Sequence, residues 1–233
     1  SLFLIKRGFW LILVEIFALN LIFSFDLSYS IIALQVIWVI GLGMLLLGLA
    51  IWLPFPVIFA IGLIILLGHN ALDFYEKGHK GTFNHWYELM HRSNLFPLIG
   101  KQQMLILYPF LPWLGLMLCG YCFGKFVSDR QGKERKRLLL FTGFGLILLF
   151  VVVRILNVYG DPAPWSEQEN GLFTFLSFMN VTKYPPSLLY LSITLGPAMI
   201  FMAFFDEVKT RLGRIISVYG RVAFFYYILH FFL

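Results

Sequence analysis

Residues 138–157 read LLLFTGFGLILLFVVVRILN, twenty positions whose single charged residue is Arg154. A coiled run of about 20 mostly apolar residues matches the hydrocarbon thickness of a bilayer. The run lacks the strict alternation of a barrel strand, so it reads as a transmembrane helix. DRQGKERKR precedes it at 129–137 and VYGDPAPW follows it at 158–165. The strongly basic flank belongs on the cytoplasmic side, because Lys and Arg in short loops orient membrane helices.

Working outward, comparable runs occur at 9–25, 31–53, 55–72, 104–124, 186–205 and 215–233. The expectation is an all-α polytopic transmembrane bundle of about seven helices. Composition agrees: 60% of the 233 residues are hydrophobic, and the 13% charged is about half the share found in soluble domains. The net charge of +6 does not point to nucleic acid. Eleven of the eighteen Lys and Arg residues fall at Lys6, Arg7, 125–137 and 206–214. Alternation then puts those three places inside and the acidic stretch from Asp161 to Glu169 outside. Ser1 is not a methionine and Leu233 lies within an apolar run, so the chain is expected to be an interior piece of a longer protein. Pro54 and Pro56 break helical hydrogen bonding between the second and third runs and set a tight hairpin. The outer connection 73–103 is long enough to expect structure or function in it.

Polar groups are costly at membrane depth unless paired or wetted, so a cluster at one level reads as a site. His69, Asn70 and Asp73 end the third run. On one straight helix His69 and Asp73 share a face, and a carboxylate beside an imidazole suits a general base. These two are the catalytic candidates. Arg154, Asn157 and Asp161 end the fifth run; Arg154 serves either as a structural ion-pair partner or as a forked holder of an anionic group. In NVTKYPPS, Pro185 and Pro186 fit the first turn of a helix, whose free N–H groups with Lys183 would form an anion site, with Tyr184 beside it. Tyr108 and Trp113 open the fourth run between Pro109 and Pro112 and suit an interface. Asn70, Tyr108, Trp113, Arg154, Asn157, Asp161, Lys183 and Tyr184 are therefore the substrate-binding candidates.

Other features read as structural. Glu15, inside the first run, is expected to pair with Arg221. Gly115, Gly120 and Gly124 allow close packing of the fourth helix. Cys119 and Cys122 form a C-x-x-C with no second ligand pair, and His79, His85 and His91 are six apart, which matches no usual zinc spacing. No metal is expected. Nucleotide-binding and hydrolase motifs such as G-x-G-x-x-G, the Walker loop and G-x-S-x-G are absent.

Six phrases occur in order: LQVIWVIGLGM at 34–44, LLGHNALD at 66–73, YPFLPWLGLMLCGYCFG at 108–124, RILNVYGDPAPW at 154–165, NVTKYPPSLLYLSITLGPA at 180–198 and YGRVAFFYYILHFFL at 219–233. This series resembles the bacterial branch of the family that contains the catalytic domain of heparan-α-glucosaminide N-acetyltransferase. The resemblance implies a single transmembrane acyltransferase-like domain over 1–233 in the bacterial cytoplasmic membrane. It also implies transfer from acetyl-CoA or another acyl-CoA to a sugar or envelope amine or hydroxyl, with a central histidine. In bacterial relatives an Asp-His-bearing helix precedes the segment matching KRGFWLILVE at 6–15, so His69 receives a family motif from the resemblance and no role. The partners expected are the bilayer, the acyl donor, the saccharide or envelope acceptor and, as an open alternative, a second copy of the chain; nucleic acid is not among them.

Two other readings compete. A transporter or flippase would use the same polar cluster without covalent chemistry, but inverted repeats and broken midplane helices are not evident in the sequence. A structural subunit of a larger assembly is the third.

Overall fold

The computed structural model describes residues 1–98, 100–205, 211–230 and 232. The chain is 69% helix and 5% strand, so the helical class holds, with one small sheet added. The helices are α1 (Leu2–Leu13), α2 (Asn20–Ser24), α3 (Val36–Ala50), α4 (Phe55–Gly68), α5 (Ala71–Gly78), α6 (His85–His91), α7 (Phe110–Ser128), α8 (Gly132–Leu156), α9 (Gly171–Met179), α10 (Leu188–Phe205), α11 (Arg211–Arg221) and α12 (Ala223–Leu229). A π-helical turn, Val14–Leu19, joins α1 to α2.

Among the described residues three helices are long and apolar enough to cross a membrane: α7, α8 and α10. The pair α4 and α5, bent by 43°, makes a fourth if it is one span. The expected seven are therefore not all present as continuous spans, for a physical reason. Strand β1 (Ile31–Leu34) takes the start of the second run, leaving α3 with 15 residues. At 1.5 Å per residue that is about 22 Å, short of the hydrocarbon core. Strand β3 (Gln103–Ile106) likewise takes the start of the fourth run, so α7 begins after Pro109. The last run breaks at Val222, between α11 and α12. Of the inner loop expected at 206–214, residues 206–210 lie outside the described residues, as do 231 and 233 in the last run.

The apolar stripe Phe141, Phe144, Leu148, Val152 and Ile155 on α8 is exposed. A continuous apolar face of that kind belongs against lipid, and this chain is a membrane protein. Helices pair where small residues let backbones meet. A Cβ added to Gly143 of α8 would lie 2.8 Å from the carbonyl of Gly196 in α10. Gly115 packs similarly on Ile65, and Gly62 on Cys119, so the C-x-x-C helix is a packing surface against α4. Gly120 and Gly124 meet nothing within 4 Å and do not share that role.

The sheet has the order β1-β3-β2, with β2 at Asn94–Pro97. β1 runs parallel to β3, pairing Ile31 with Gln103, and β2 runs antiparallel, pairing Asn94 with Ile106. Leu34, Phe96 and Ile106 form its buried core. All three strands come from segments expected on the outer side. Lys125 near the end of α7 lies over the Phe55 ring at the start of α4, and Lys136 near the start of α8 lies over the Phe204 ring at the end of α10. Glu15 meets Gln35 rather than the expected Arg221. Its Oε1 accepts from the Gln35 N–H at 2.9 Å, at the N-terminus of α3, where unpaired N–H groups favour a carboxylate.

Candidate functional site

The bend between α4 and α5 makes the site. α4 ends at Gly68, His69 follows, and α5 starts at Ala71 on a new axis. His69 and Asp73 therefore do not make the partnership expected of a straight helix. Asp73 Oδ2 accepts from Asn70 Nδ2 at 2.8 Å. His69 Nδ1 instead faces His91 Nε2 at 3.4 Å.

His91 ends α6, a helix capped at its start by Asn84, whose side chain accepts from the Tyr87 N–H at 2.8 Å. His91 is wholly buried, and its Nδ1 lies 2.9 Å from Glu76 Oε1. Glu76 is fixed in turn by the Tyr87 hydroxyl at 3.2 Å and by Arg92 Nε at 3.5 Å. Burial, and then the negative charge of Glu76, push the Tyr87 phenol up, so it remains a donor.

A carboxylate only accepts, so a neutral His91 beside Glu76 carries its proton on Nδ1 and offers a lone pair at Nε2. With that tautomer a neutral His69 donates to the lone pair from Nδ1, and its own Nε2 carries the other lone pair. That nitrogen is buried and has no hydrogen-bond partner among the described residues. The arrangement is a carboxylate, an imidazole and a second imidazole in series, ending in a ring nitrogen without a hydrogen-bond partner among the described residues.

The second polar group is closed. Arg154 donates from Nε to the Phe178 carbonyl (2.9 Å), from Nη1 to Ala163 (2.9 Å), and from Nη2 to Ser177 (3.0 Å) and Asn180 (2.5 Å). Asn157 ends α8 with φ 55°, the left-handed conformation in which Asn is tolerated. Its side chain exchanges two bonds with the backbone of Trp165, 2.9 and 3.0 Å. Asp161 accepts from the Thr182 N–H (2.8 Å), the Thr182 hydroxyl (3.0 Å) and the Ser187 hydroxyl (2.6 Å). Together the three tie the loop 158–187 to the ends of α8 and α9.

The expected anion site before α10 is already filled. Pro185 and Pro186 lie in a turn ahead of the helix, not in it. The Leu188 N–H donates to Asn70 Oδ1 (2.9 Å), Leu189 to the Gly160 carbonyl (3.1 Å) and Tyr190 to the Ser187 hydroxyl (3.0 Å). Asn70 thus caps α10 while holding Asp73, and links the two polar groups.

Tyr184 and Lys183 are exposed, with the Lys183 ammonium 5.0 Å from the Tyr184 ring centre. The Tyr184 hydroxyl is 3.2 Å from that of Tyr108. The Tyr108 contact and then Lys183 draw the Tyr184 phenol down, while burial raises Tyr108. Trp113 stacks obliquely on Tyr108, 5.6 Å between ring centres, and its Nε1 has no partner among the described residues.

The structure thus splits the sequence candidates into His69, Asn70 and Asp73 at the bend, Arg154, Asn157 and Asp161 in the loop anchor, and Tyr108, Trp113, Lys183 and Tyr184 in an aromatic group. Sequence reasoning missed Glu76 and His91. Glu76 follows Asp73 by three and His69 by seven, so extending the helical count would have reached it. His91 gave no local signal, because a loop and another helix separate it from His69.

Fold and site together define a helical membrane protein whose polar groups gather at one end of the bundle, one of them ending in an unpartnered imidazole nitrogen. The sequence model for the heparan-α-glucosaminide N-acetyltransferase catalytic family matches residues 4–159, more than half of the chain, and the chain belongs to that family. The match includes His69, Asp73, Glu76, His91 and Arg154, and ends before Lys183. No curated protein and no solved structure matches the chain. Membership points to acetyltransferase-type chemistry.

Proposed function

We propose that this protein is an integral-membrane acyltransferase of the bacterial cytoplasmic membrane, moving an acetyl or other acyl group from a CoA thioester to an amine or hydroxyl of a sugar or envelope acceptor. The observation that carries this reading is the free Nε2 of His69, buried at the end of the Glu76–His91–His69 series. A buried polar atom without a partner costs about 1–3 kcal/mol, a cost that an acceptor N–H or O–H would offset.

In the reaction, the acceptor nitrogen or oxygen bonds to the acyl carbon while its proton passes to His69 Nε2. The C–S bond then breaks, and the proton follows to the departing thiolate. His91 holds the His69 ring in the basic tautomer, and Glu76 holds His91. Asp73 supports the site through Asn70. Arg154, Asn157 and Asp161 hold the loop that carries Lys183 and Tyr184, and these two with Tyr108 and Trp113 receive the acceptor. A cavity of about 560 Å³ between α1, α3 and α12, lined by Arg7, Val36, Met44, Arg221 and Phe224, offers two cations for the donor's phosphates.

The test is transfer of radiolabelled acetyl from acetyl-CoA to glucosamine-terminated acceptors by the protein in proteoliposomes. Labelled acceptor that disappears with His69→Ala supports the reading. Movement of unmodified acceptor across the bilayer, with no acylation, would make the protein a transporter instead.

A further inference from the structure

Glu76, His91 and Asp73 present one ligand atom each within 4.8 Å of one another. Asp73 and Glu76 lie one turn apart on α5, and His91 comes from α6. Asp73 and His91 are buried, and Glu76 is half-buried. The mixed imidazole and carboxylate donors match the ligand chemistry of zinc. On a tetrahedral Zn²⁺ with bonds of about 2.0–2.1 Å, ligand atoms stand about 3.3 Å apart. The 2.9 Å between His91 Nδ1 and Glu76 Oε1 is close to that, and the Asp73 oxygen lies within 4.8 Å of both.

A second observation points the same way. Each of the three donors is already oriented by a further group, as metal ligands are. Asn70 holds Asp73, Tyr87 and Arg92 hold Glu76, and His69 holds the far nitrogen of His91. Arg92 contacts Glu76 Oε2, which leaves Oε1 turned toward His91.

We propose that Asp73, Glu76 and His91 form a binding site for one divalent transition-metal ion of the zinc class. Its consequence for turnover rests on the proposed role of His69. A metal takes the Nδ1 lone pair of His91, so the His91 proton stands on Nε2 and is donated to His69 Nδ1. The His69 proton then stands on Nε2, where the basic lone pair was. Both rings change tautomer, no proton is gained or lost, and the base is blocked. The metal acts as an inhibitor of transfer.

The experiment is calorimetric titration of Zn²⁺ into the detergent-purified protein, stripped with EDTA and carrying no polyhistidine tag. One saturable site is expected. Asp73→Asn and His91→Ala should each weaken it by about tenfold or more, whereas the double variant His79→Ala, His85→Ala, which removes no ligand and no group that orients one, should keep it. A Zn²⁺-dependent rise in melting temperature should disappear with Asp73→Asn, a variant that keeps the shape of the side chain. Absence of saturable binding overturns the proposal. So does affinity unchanged in both ligand variants, or lost in the His79, His85 variant. Binding is read without turnover, so a protein that takes up Zn²⁺ and transfers no acetyl refutes the proposed reaction and leaves the metal site standing.

Discussion

The two buried polar groups at one end of the bundle differ in one respect. Around Arg154, donors and acceptors are matched: the guanidinium spends four bonds on carbonyls, Asn157 exchanges two with Trp165, and Asp161 accepts four. Around His69 the series ends in an atom with no partner. Both groups look alike in sequence, since each is a cation or imidazole with an amide and a carboxylate at a helix end. A matched network rigidifies a fold, whereas an open valence held in place is available for chemistry. The difference teaches that membrane depth identifies polar residues worth inspecting, and that hydrogen-bond accounting tells these two groups apart.

The comparison is most exposed at its two centres. His69→Ala should lower acyl transfer by about a hundred- to ten-thousand-fold, the usual worth of a positioned general base, with the melting temperature unchanged. Full turnover in that variant would move the chemistry elsewhere. Arg154→Ala should do the reverse and destabilise the fold by about 3–5 kcal/mol, because it strands carbonyls that share one buried cation. Chemical denaturation in detergent measures it. Arg154→Lys should recover little of the loss, since an ammonium does not reach four carbonyls with a planar fork. A stable Arg154→Ala protein that bound acceptor poorly would break the contrast and return Arg154 to ligand binding.

Smaller effects sharpen the contrast. Glu76→Gln removes a charge-assisted bond of about 1.5–3 kcal/mol, so kcat should fall about ten- to a hundred-fold, with KM for acceptor little changed. If Glu76 were only structural, stability would fall and the kinetics of the surviving protein would not. Tyr184→Phe removes one exposed hydroxyl contact with Tyr108. It should cost about 0.5–1.5 kcal/mol, seen in acceptor KM rather than in kcat.

The sequence by itself determined the helical membrane class and the family. Length, apolarity and loop charge are local properties, and the six ordered phrases needed no coordinates. It also placed His69, Asn70, Asp73, Arg154 and Asp161 at one level, because depth follows from position within a run. It did not yield the span count: β1 and β3 are as apolar as the helices they precede, and their pairing across some seventy residues is what diverts them. Nor did it yield the partners. The 43° bend after Gly68 parts His69 from Asp73, and α6 folds back to supply His91 from twenty-two residues away. Asn70 reaches across to cap α10, filling the N–H groups that looked free in NVTKYPPS. Those choices belong to the tertiary structure. Periodicity reports which residues share a helix face, and it carries no information on which distant group satisfies a buried donor.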